Sequence, residues 1–236
     1  QATQVLNAIK QYEVVTSGGL SMLKPGDNPY WGGPDCLNPS YFAPGYYRAF
    51  AQYAPASGDA AFWQTLANDT YTLLNRMANL TTGLVPNWAT SSGAASTCAN
   101  NTDYAIFGWD AIRSPWRIAV DYVWWGTPEA KAYLERINGW SMGIGPVALL
   151  DEYTLDGSPW ATPTGGRPAP SHNARASGAW AAAALAHDQA TADAYVAEAV
   201  ANKNYGPTAS AYYPMSLRVL YLMLASGQFT TCGNNG

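Results

Sequence analysis

The residues best suited to chemistry lie in one short stretch, Ala105–Trp125, which holds a carboxylate, two arginines and several tryptophans. Asp110 follows a Gly-Trp pair and precedes a helical pattern, so we expect it at the start of a helix. Arg113 lies three residues further on and shares its face. A guanidinium there can keep Asp110 ionised to accept a proton, and can donate to a sugar hydroxyl or a leaving oxygen. A helix-capping aspartate with a neighbouring ion pair is the equally simple alternative.

The elements that must position this stretch are predicted to be helices. Apolar residues recur at helical spacing in eight segments bounded by turn residues, namely 2–15, 38–53, 59–79, 110–125, 129–140, 173–187, 189–203 and 211–226. Long polar and glycine-rich loops span about 16–37, 80–109 and 141–171. Because each long loop precedes the first helix of a pair, the loops should gather at one rim of an αα-toroid and build a cleft there.

Composition limits the possible function classes. The 236 residues suit one domain over 1–236, with a tail at 228–236. A net charge of -4 with 12% charged residues offers no basic patch for nucleic acid or anionic lipid, and no apolar run is long enough to cross a membrane. Three cysteines, few charges and the lack of an initiator Met favour a processed, secreted protein. Cys36 and Cys98 both lie in long loops and could pair, which leaves Cys232 over.

Three sequence blocks together resemble one enzyme family. They are W-D-A-I-R-S-P-W-R-I-A from Trp109, N-P-S-Y-F-A-P-G-Y-Y-R from Asn38, and Y-Y-P-M-S-L-R-V-L from Tyr212. In this order they resemble glycoside hydrolase family 8, inverting endo-acting enzymes on cellulose, mixed-linkage glucan, xylan or chitosan. The resemblance implies an incomplete (α/α)6 barrel with about eight of its twelve helices. It also implies that the chain is the C-terminal two-thirds of the catalytic domain, because the family's acid Glu and a further Asp precede this region.

The same resemblance assigns roles to individual residues. It makes Asp110 the general base and Arg113 the residue that holds both this base and the substrate. It implies that Trp31 stacks against a glucose ring and that the Trp109 ring walls the water pocket, with simple packing as the alternative for Trp109. It implies sugar contacts for four further side chains, Asn38, Tyr41, Tyr212 and Tyr213, with core packing or helix capping as the alternative for these four. We expect Arg117, Asp121 and Asp151 to be structural ion partners.

Other chemistries lack their motifs. His172 and His187 are fifteen residues apart, with no H-E-x-x-H pattern and no close cluster of cysteine or aspartate. Neither a nucleophile elbow nor a phosphate-binding P-loop motif occurs. We therefore expect neither a metal ion nor another cofactor.

The sequence thus predicts an extracellular, monomeric endo-β-1,4-glucanase that hydrolyses cellulose or mixed-linkage β-glucan with inversion. A separate N-terminal segment of the same protein could supply the general acid. Two alternatives stay open. One is a xylanase or chitosanase of the same family, and the other is a non-catalytic glucan-binding fragment, because the acid Glu is not found in this chain.

Overall fold

The computed structural model describes residues 1–27, 32–53, 58–98, 102–161, 169–205 and 211–231. Within these ranges the chain forms eight α-helices, one β-hairpin and short 3₁₀ and π turns, which confirms the predicted helical class. The α-helices are, in chain order, α1 (Ala2–Ala8), α2 (Pro44–Tyr53), α3 (Asp59–Met77), α4 (Ser114–Trp125), α5 (Pro128–Ser141), α6 (Ala174–Ala184), α7 (Gln189–Ala201) and α8 (Tyr212–Ala225). Within the described ranges, no helix combines the length and the apolar character needed to cross a bilayer.

The helices form two layers. Helices α2, α4, α6 and α8 pack side by side in that order as an inner layer, and α3, α5 and α7 return outside them. Neighbours in the inner layer are thus separated in sequence by one outer helix, as predicted for a toroid of helical hairpins. The alanine-rich α6 is buried along its whole length. A Cβ at Gly178 would lie 2.1 Å from the ring of Tyr221, so glycine lets α6 and α8 approach closely.

Local signals explain where the inner helices begin and end. Helix α4 has Pro115 in its first turn, where a missing amide hydrogen costs little, and it ends at Gly126 in the left-handed conformation. Helix α6 begins after Asn173, whose side chain accepts from the amides of Arg175 and Ala176. These signals place the starts of α4 and α6 in the turns that follow two of the long loops.

The long loops do meet at one rim, as predicted. The first and second loops are joined by backbone hydrogen bonds between Leu37 and Ala89, and by the expected disulfide between Cys36 and Cys98. The second and third are joined where Phe107 and Tyr153 exchange two backbone hydrogen bonds of 2.9 Å. The rim at the start of α4 is therefore one connected structure.

Two predicted elements need correction. The helix expected over 2–15 ends early, in a π turn at Ile9–Glu13. An antiparallel hairpin of β1 (Val14–Ser17) and β2 (Leu20–Leu23) follows, where the end of this helix and the start of the first long loop were predicted. Gly18 and Gly19 both have positive φ and form its two-residue turn. The helix expected over 38–53 is split into a 3₁₀ turn at Pro39–Tyr41 and α2, because Pro44 disfavours a helical residue before it.

The predicted tail begins as part of the packed structure. Phe229 lies against Trp116 and Trp124, with ring centroids 5.4 and 5.6 Å away. Its carbonyl oxygen accepts a 2.7 Å hydrogen bond from the Trp124 indole. Residues 232–236, which include Cys232, lie outside the described residues.

Candidate active site

Asp110 lies at the loop rim, directly before a 3₁₀ turn (Ala111–Arg113) that leads into α4. Its side chain makes no capping hydrogen bond to this turn, so the capping part of the alternative is wrong, whereas the ion pair that it also predicted is present. The carboxylate instead pairs with Arg113, whose terminal nitrogen lies 2.6 Å from Oδ1. The other oxygen, Oδ2, accepts a 3.2 Å hydrogen bond from the Trp88 indole. With 28% of its side chain exposed, Asp110 keeps a surface at which a water molecule could be bound.

Asn87, which sequence reasoning missed, holds the backbone at this position. Its carboxamide oxygen accepts from the amides of Gly108, Asp110 and Ala111 at 3.2, 3.1 and 2.9 Å. Its amide nitrogen donates to the carbonyl oxygen of Asp103 at 2.8 Å. The side chain is only 1% exposed, so these are buried bonds that fix the turn carrying Asp110. No pattern in the sequence marks this loop asparagine.

Several predicted site residues do surround Asp110 and Arg113. The Arg113 guanidinium lies 5.3 Å from the centre of the Tyr41 ring. The rings of Trp109 and Tyr213 stack with centroids 5.7 Å apart and an angle of 7°, and the Tyr213 hydroxyl donates to the Trp109 carbonyl oxygen at 2.6 Å. Burial raises the pKa of the Tyr213 hydroxyl, while the nearby arginines oppose that shift. Together with Trp88, residues from four separate parts of the chain thus meet at one place.

The other predicted contacts do not join this group. Asn38 is 1% exposed, and its carboxamide oxygen accepts from the amide and hydroxyl of Ser40, so in this structure it caps the Pro39–Tyr41 turn. Tyr212 is 79% exposed at the start of α8, whereas its neighbour Tyr213 points inward. Trp31 lies outside the described residues.

Of the three residues predicted to be structural ion partners, Asp121 and Asp151 form ion pairs, with Arg48 and Arg175. Asp121 is fully buried and accepts hydrogen bonds from Arg48, Tyr71 and Thr127. The prediction is wrong for Arg117, which has no ion pair among the described residues: it donates to the carbonyl oxygen of Ser40 at 3.2 Å and lies against the rings of Tyr46 and Trp116.

A buried charged cluster lies behind Trp109. Asp151 pairs with Arg175, and Glu152 follows Asp151 in the chain; the three residues are 5%, 4% and 2% exposed. Burial and the neighbouring charge of Asp151 raise the pKa of Glu152 to about 7, against the opposing effects of Arg175 and a hydrogen bond with Trp109. Sequence reasoning recognised Asp151 as an ion partner but missed Arg175 and Glu152. One sequence signal could have drawn attention to Arg175, because a cation in the first turn of a helix is disfavoured by the helix dipole.

The described residues contain no group of three or more histidine, cysteine, aspartate and glutamate side chains that could hold a metal ion.

Comparison with known proteins gives the same enzyme family at the level of sequence and of structure. The family model for Glycosyl hydrolases family 8 matches residues 1–227. Endoglucanase 2 of Ruminiclostridium josui is 37% identical over 97% of this chain, and Endoglucanase A of Acetivibrio thermocellus is 37% identical over 92%. The chain spans only 45% and 42% of the lengths of these two relatives.

Solved structures share the architecture. An apo β-1,3-1,4-glucanase from Paenibacillus matches with a TM-score of 0.78 at 23% identity, and covers 97% of this chain and 59% of its own. A family 8 xylobiose complex from Teredinibacter turnerae matches with a TM-score of 0.77 at 22% identity, over 98% of this chain and 59% of its own. At these identities the likeness shows the fold alone, which is part of an (α/α)6 barrel.

Proposed function

The chain belongs to glycoside hydrolase family 8, and from this premise we propose that it is the base-bearing part of an inverting endo-β-1,4-glucanase. The observation that carries the proposal is Asp110, a partly exposed carboxylate whose two oxygens are held by Arg113 and Trp88. The endoglucanase names of the similar relatives support β-glucan as the substrate class. The disulfide supports action outside the cell.

In this proposal Asp110 removes a proton from the attacking water. Inversion requires that water to lie between the sugar and a carboxylate about 6.5–9.5 Å from the general acid. Arg113 holds the Asp110 carboxylate in one orientation through its 2.6 Å contact, and its remaining N–H donors are left for sugar hydroxyls. The stacked rings of Trp109 and Tyr213 wall one side of the water position, and the Tyr41 ring lies 5.3 Å from the Arg113 guanidinium.

We assign the general acid to the part of a family 8 domain that lies outside this chain. An apolar cavity of about 510 Å³ between α1, α2 and the C-terminal segment supports packing of further helices there. Its walls are apolar side chains that a complete barrel would bury, among them Val5, Leu6, Ile9, Tyr46, Phe50, Tyr53 and Trp124. Val5 and Tyr53 are 58% and 50% exposed.

The test uses the chain alone and the chain supplied with the N-terminal part of a family 8 relative. We call the second preparation the reconstituted enzyme. Both are assayed on carboxymethylcellulose, mixed-linkage β-glucan, xylan and chitosan, with the first-formed anomer read by proton NMR. We expect β-glucan hydrolysis with an α-anomeric product in the reconstituted enzyme, and little or none in the chain alone.

The other outcomes decide between the alternatives. Turnover of xylan alone would make the protein a xylanase. This is the second candidate because an exo-oligoxylanase from Paenibacillus barcinonensis is 31% identical to this chain over 127 residues. Turnover of chitosan alone would make it a chitosanase. Glucan binding without hydrolysis in either preparation would indicate a binding fragment, and a β-anomeric product would contradict inversion.

A further inference from the structure

Arg175 differs from the other buried groups because its position is energetically unfavourable in three ways. It lies in the first turn of α6, where the helix dipole disfavours a cation. Its charge is buried, and burying an ion is unfavourable even when it is paired. Its Nε is also buried, with no hydrogen-bond acceptor among the described residues. A neutral side chain would avoid these three costs but would leave the buried Asp151 carboxylate without its cation, so Arg175 is present as half of an ion pair and not for packing alone.

Two neighbours hold Arg175 in one place. Asp151 pairs with the guanidinium, and the same carboxylate accepts from the Asn173 amide at 2.6 Å and from the backbone of Ser171 at 2.8 Å. Asn173 is also the residue that caps α6. The guanidinium is therefore fixed to the start of an inner helix through two side chains that are themselves held.

The fixed guanidinium contacts the residue that precedes the proposed base. Its central carbon lies 4.0 Å from the centre of the Trp109 ring, well within the range of a cation–π contact. The Phe107–Tyr153 backbone bridge explains this proximity, since it brings Asp151 alongside the segment that ends in Trp109. Tyr213 holds Trp109 as well, by ring stacking and by its hydrogen bond to the Trp109 carbonyl.

We propose that Arg175 is a positioning residue for the general base. Held by Asp151, it fixes the Trp109 ring and thereby the direction in which the Asp110 side chain points from the backbone. The proposal rests on the assignment of Asp110 as base under the proposed function. Asn87 fixes the Asp110 amide from one side, and Arg175 with Tyr213 fixes the preceding residue from the other. The base is then held by its backbone as well as by its own ion pair.

The main test is Arg175→Lys in the reconstituted enzyme. Lysine keeps a cation beside Asp151 but lacks the planar group that lies over Trp109. A small misplacement of a catalytic group costs on the order of 10- to 100-fold in rate, so we expect kcat on β-glucan to fall by about that factor while KM changes less than about threefold. Arg218→Lys is the matched control, because the Arg218 guanidinium donates to the carbonyl oxygens of Ala199 and Val200 in α7; it should leave both constants unchanged.

A second variant covers the case in which the lysine protein does not fold. The double change Asp151→Asn with Arg175→Gln leaves neither partner charged, so no unpaired ion from this pair is buried. It should show the same fall in kcat. An unchanged kcat in whichever of these variants folds would overturn the proposal.

An NMR measurement on the chain alone separates this inference from the proposed function. The indole N–H resonance of Trp109, assigned by its loss in Trp109→Phe, should shift in Arg175→Lys and stay in place in Arg218→Lys. If it does not shift, Arg175 does not fix Trp109 and the inference fails. If it shifts and kcat falls only in Asp110→Asn, Arg175 packs on Trp109 without positioning the base, and the inference also fails. If Asp110→Asn keeps full turnover, the proposed function fails instead.

Discussion

The two ends of α4 each carry an aspartate paired with an arginine, and the two pairs differ in what surrounds them. At the loop rim, Asp110 meets Arg113 at 2.6 Å with 28% of its side chain exposed. At the far end, Asp121 meets Arg48 at 3.0 Å with none exposed. Asp121 also accepts from Tyr71 and Thr127. Asp121 is thus enclosed by donors, whereas Asp110 has two side-chain donors and a remaining surface.

Residue types alone therefore do not define a catalytic carboxylate. Both aspartates are followed or preceded by arginines and tryptophans in the same stretch of sequence. A buried carboxylate whose oxygens are all engaged stabilises the fold and has no free site for water. A carboxylate that is held by hydrogen bonds but is still accessible to water can accept a proton.

The largest effect on stability should come from Asp121→Asn. The change leaves Arg48 without its anion in a mostly buried site, and breaking a buried pair costs about 3–5 kcal/mol. Urea unfolding measures the loss. The control is Glu135→Gln, which removes the exposed pair with Lys131 and should change the free energy of unfolding by less than about 0.5 kcal/mol. Equal effects of the two variants would break the contrast between buried and exposed pairs.

Asn87→Ala should affect both stability and turnover. It removes the acceptor of three amides around Asp110, so we expect a loss of about 1–3 kcal/mol and a fall in kcat of roughly tenfold. Asn138→Ala is the matched control, since Asn138 is equally buried but donates to Ala183 in α6. It should lose comparable stability without losing turnover. A normal kcat in Asn87→Ala would show that the turn holds Asp110 without this side chain.

Glu152→Gln should change how stability depends on pH. The pKa of Glu152 is about 7 in the folded protein and 4.5 ordinarily, so between these values the folded state holds a proton that the unfolded chain releases. Stability of the unmodified protein should therefore fall as pH rises from about 4.5 through 7. The variant lacks this loss, so its melting temperature should exceed that of the unmodified protein by several degrees at pH 8 and differ little at pH 4.5. If the melting temperatures of the variant and of the unmodified protein changed equally with pH across this range, the raised pKa of Glu152 would be refuted.

Trp88→Phe should have the smallest effect. It removes the indole donor to Asp110 Oδ2 but keeps an aromatic ring, so we expect kcat to fall about fivefold, or ~1 kcal/mol. Trp125→Phe removes the indole bond to the Gly45 carbonyl at the other end of α4. Steady-state kinetics on β-glucan should detect no change in this second variant. A loss of turnover in Trp125→Phe equal to that in Trp88→Phe would show that the two ends of the helix are not functionally distinct.

Much of this architecture could be predicted from the sequence because its signals are local. Helical spacing of apolar residues, Asn173 as a cap and Gly126 as a stop are readable within a few positions. The Asp110–Arg113 pair was readable for the same reason, since residues three apart share a helix face. The β-hairpin was missed although Gly18-Gly19 after three β-branched residues is a hairpin signal.

The rest of the site depends on contacts between distant residues. Asn87 lies 23 positions before Asp110, and Tyr213 lies 104 positions after Trp109. Only the folded loops bring them together. The same holds for Arg175, whose contact with Trp109 follows from the backbone bridge between Phe107 and Tyr153. Asn38 shows the opposite case, in which a residue predicted to contact sugar is used to cap a turn.

The most direct test of the contrast between the two carboxylates is turnover and stability of Asp110→Asn in the reconstituted enzyme. Asparagine keeps the shape of the side chain but cannot accept a proton from water. We expect kcat on β-glucan to fall by about 10²–10⁴, with a melting temperature close to that of the unmodified protein. Retained turnover in a normally folded Asp110→Asn protein would contradict the account and remove this carboxylate from the reaction.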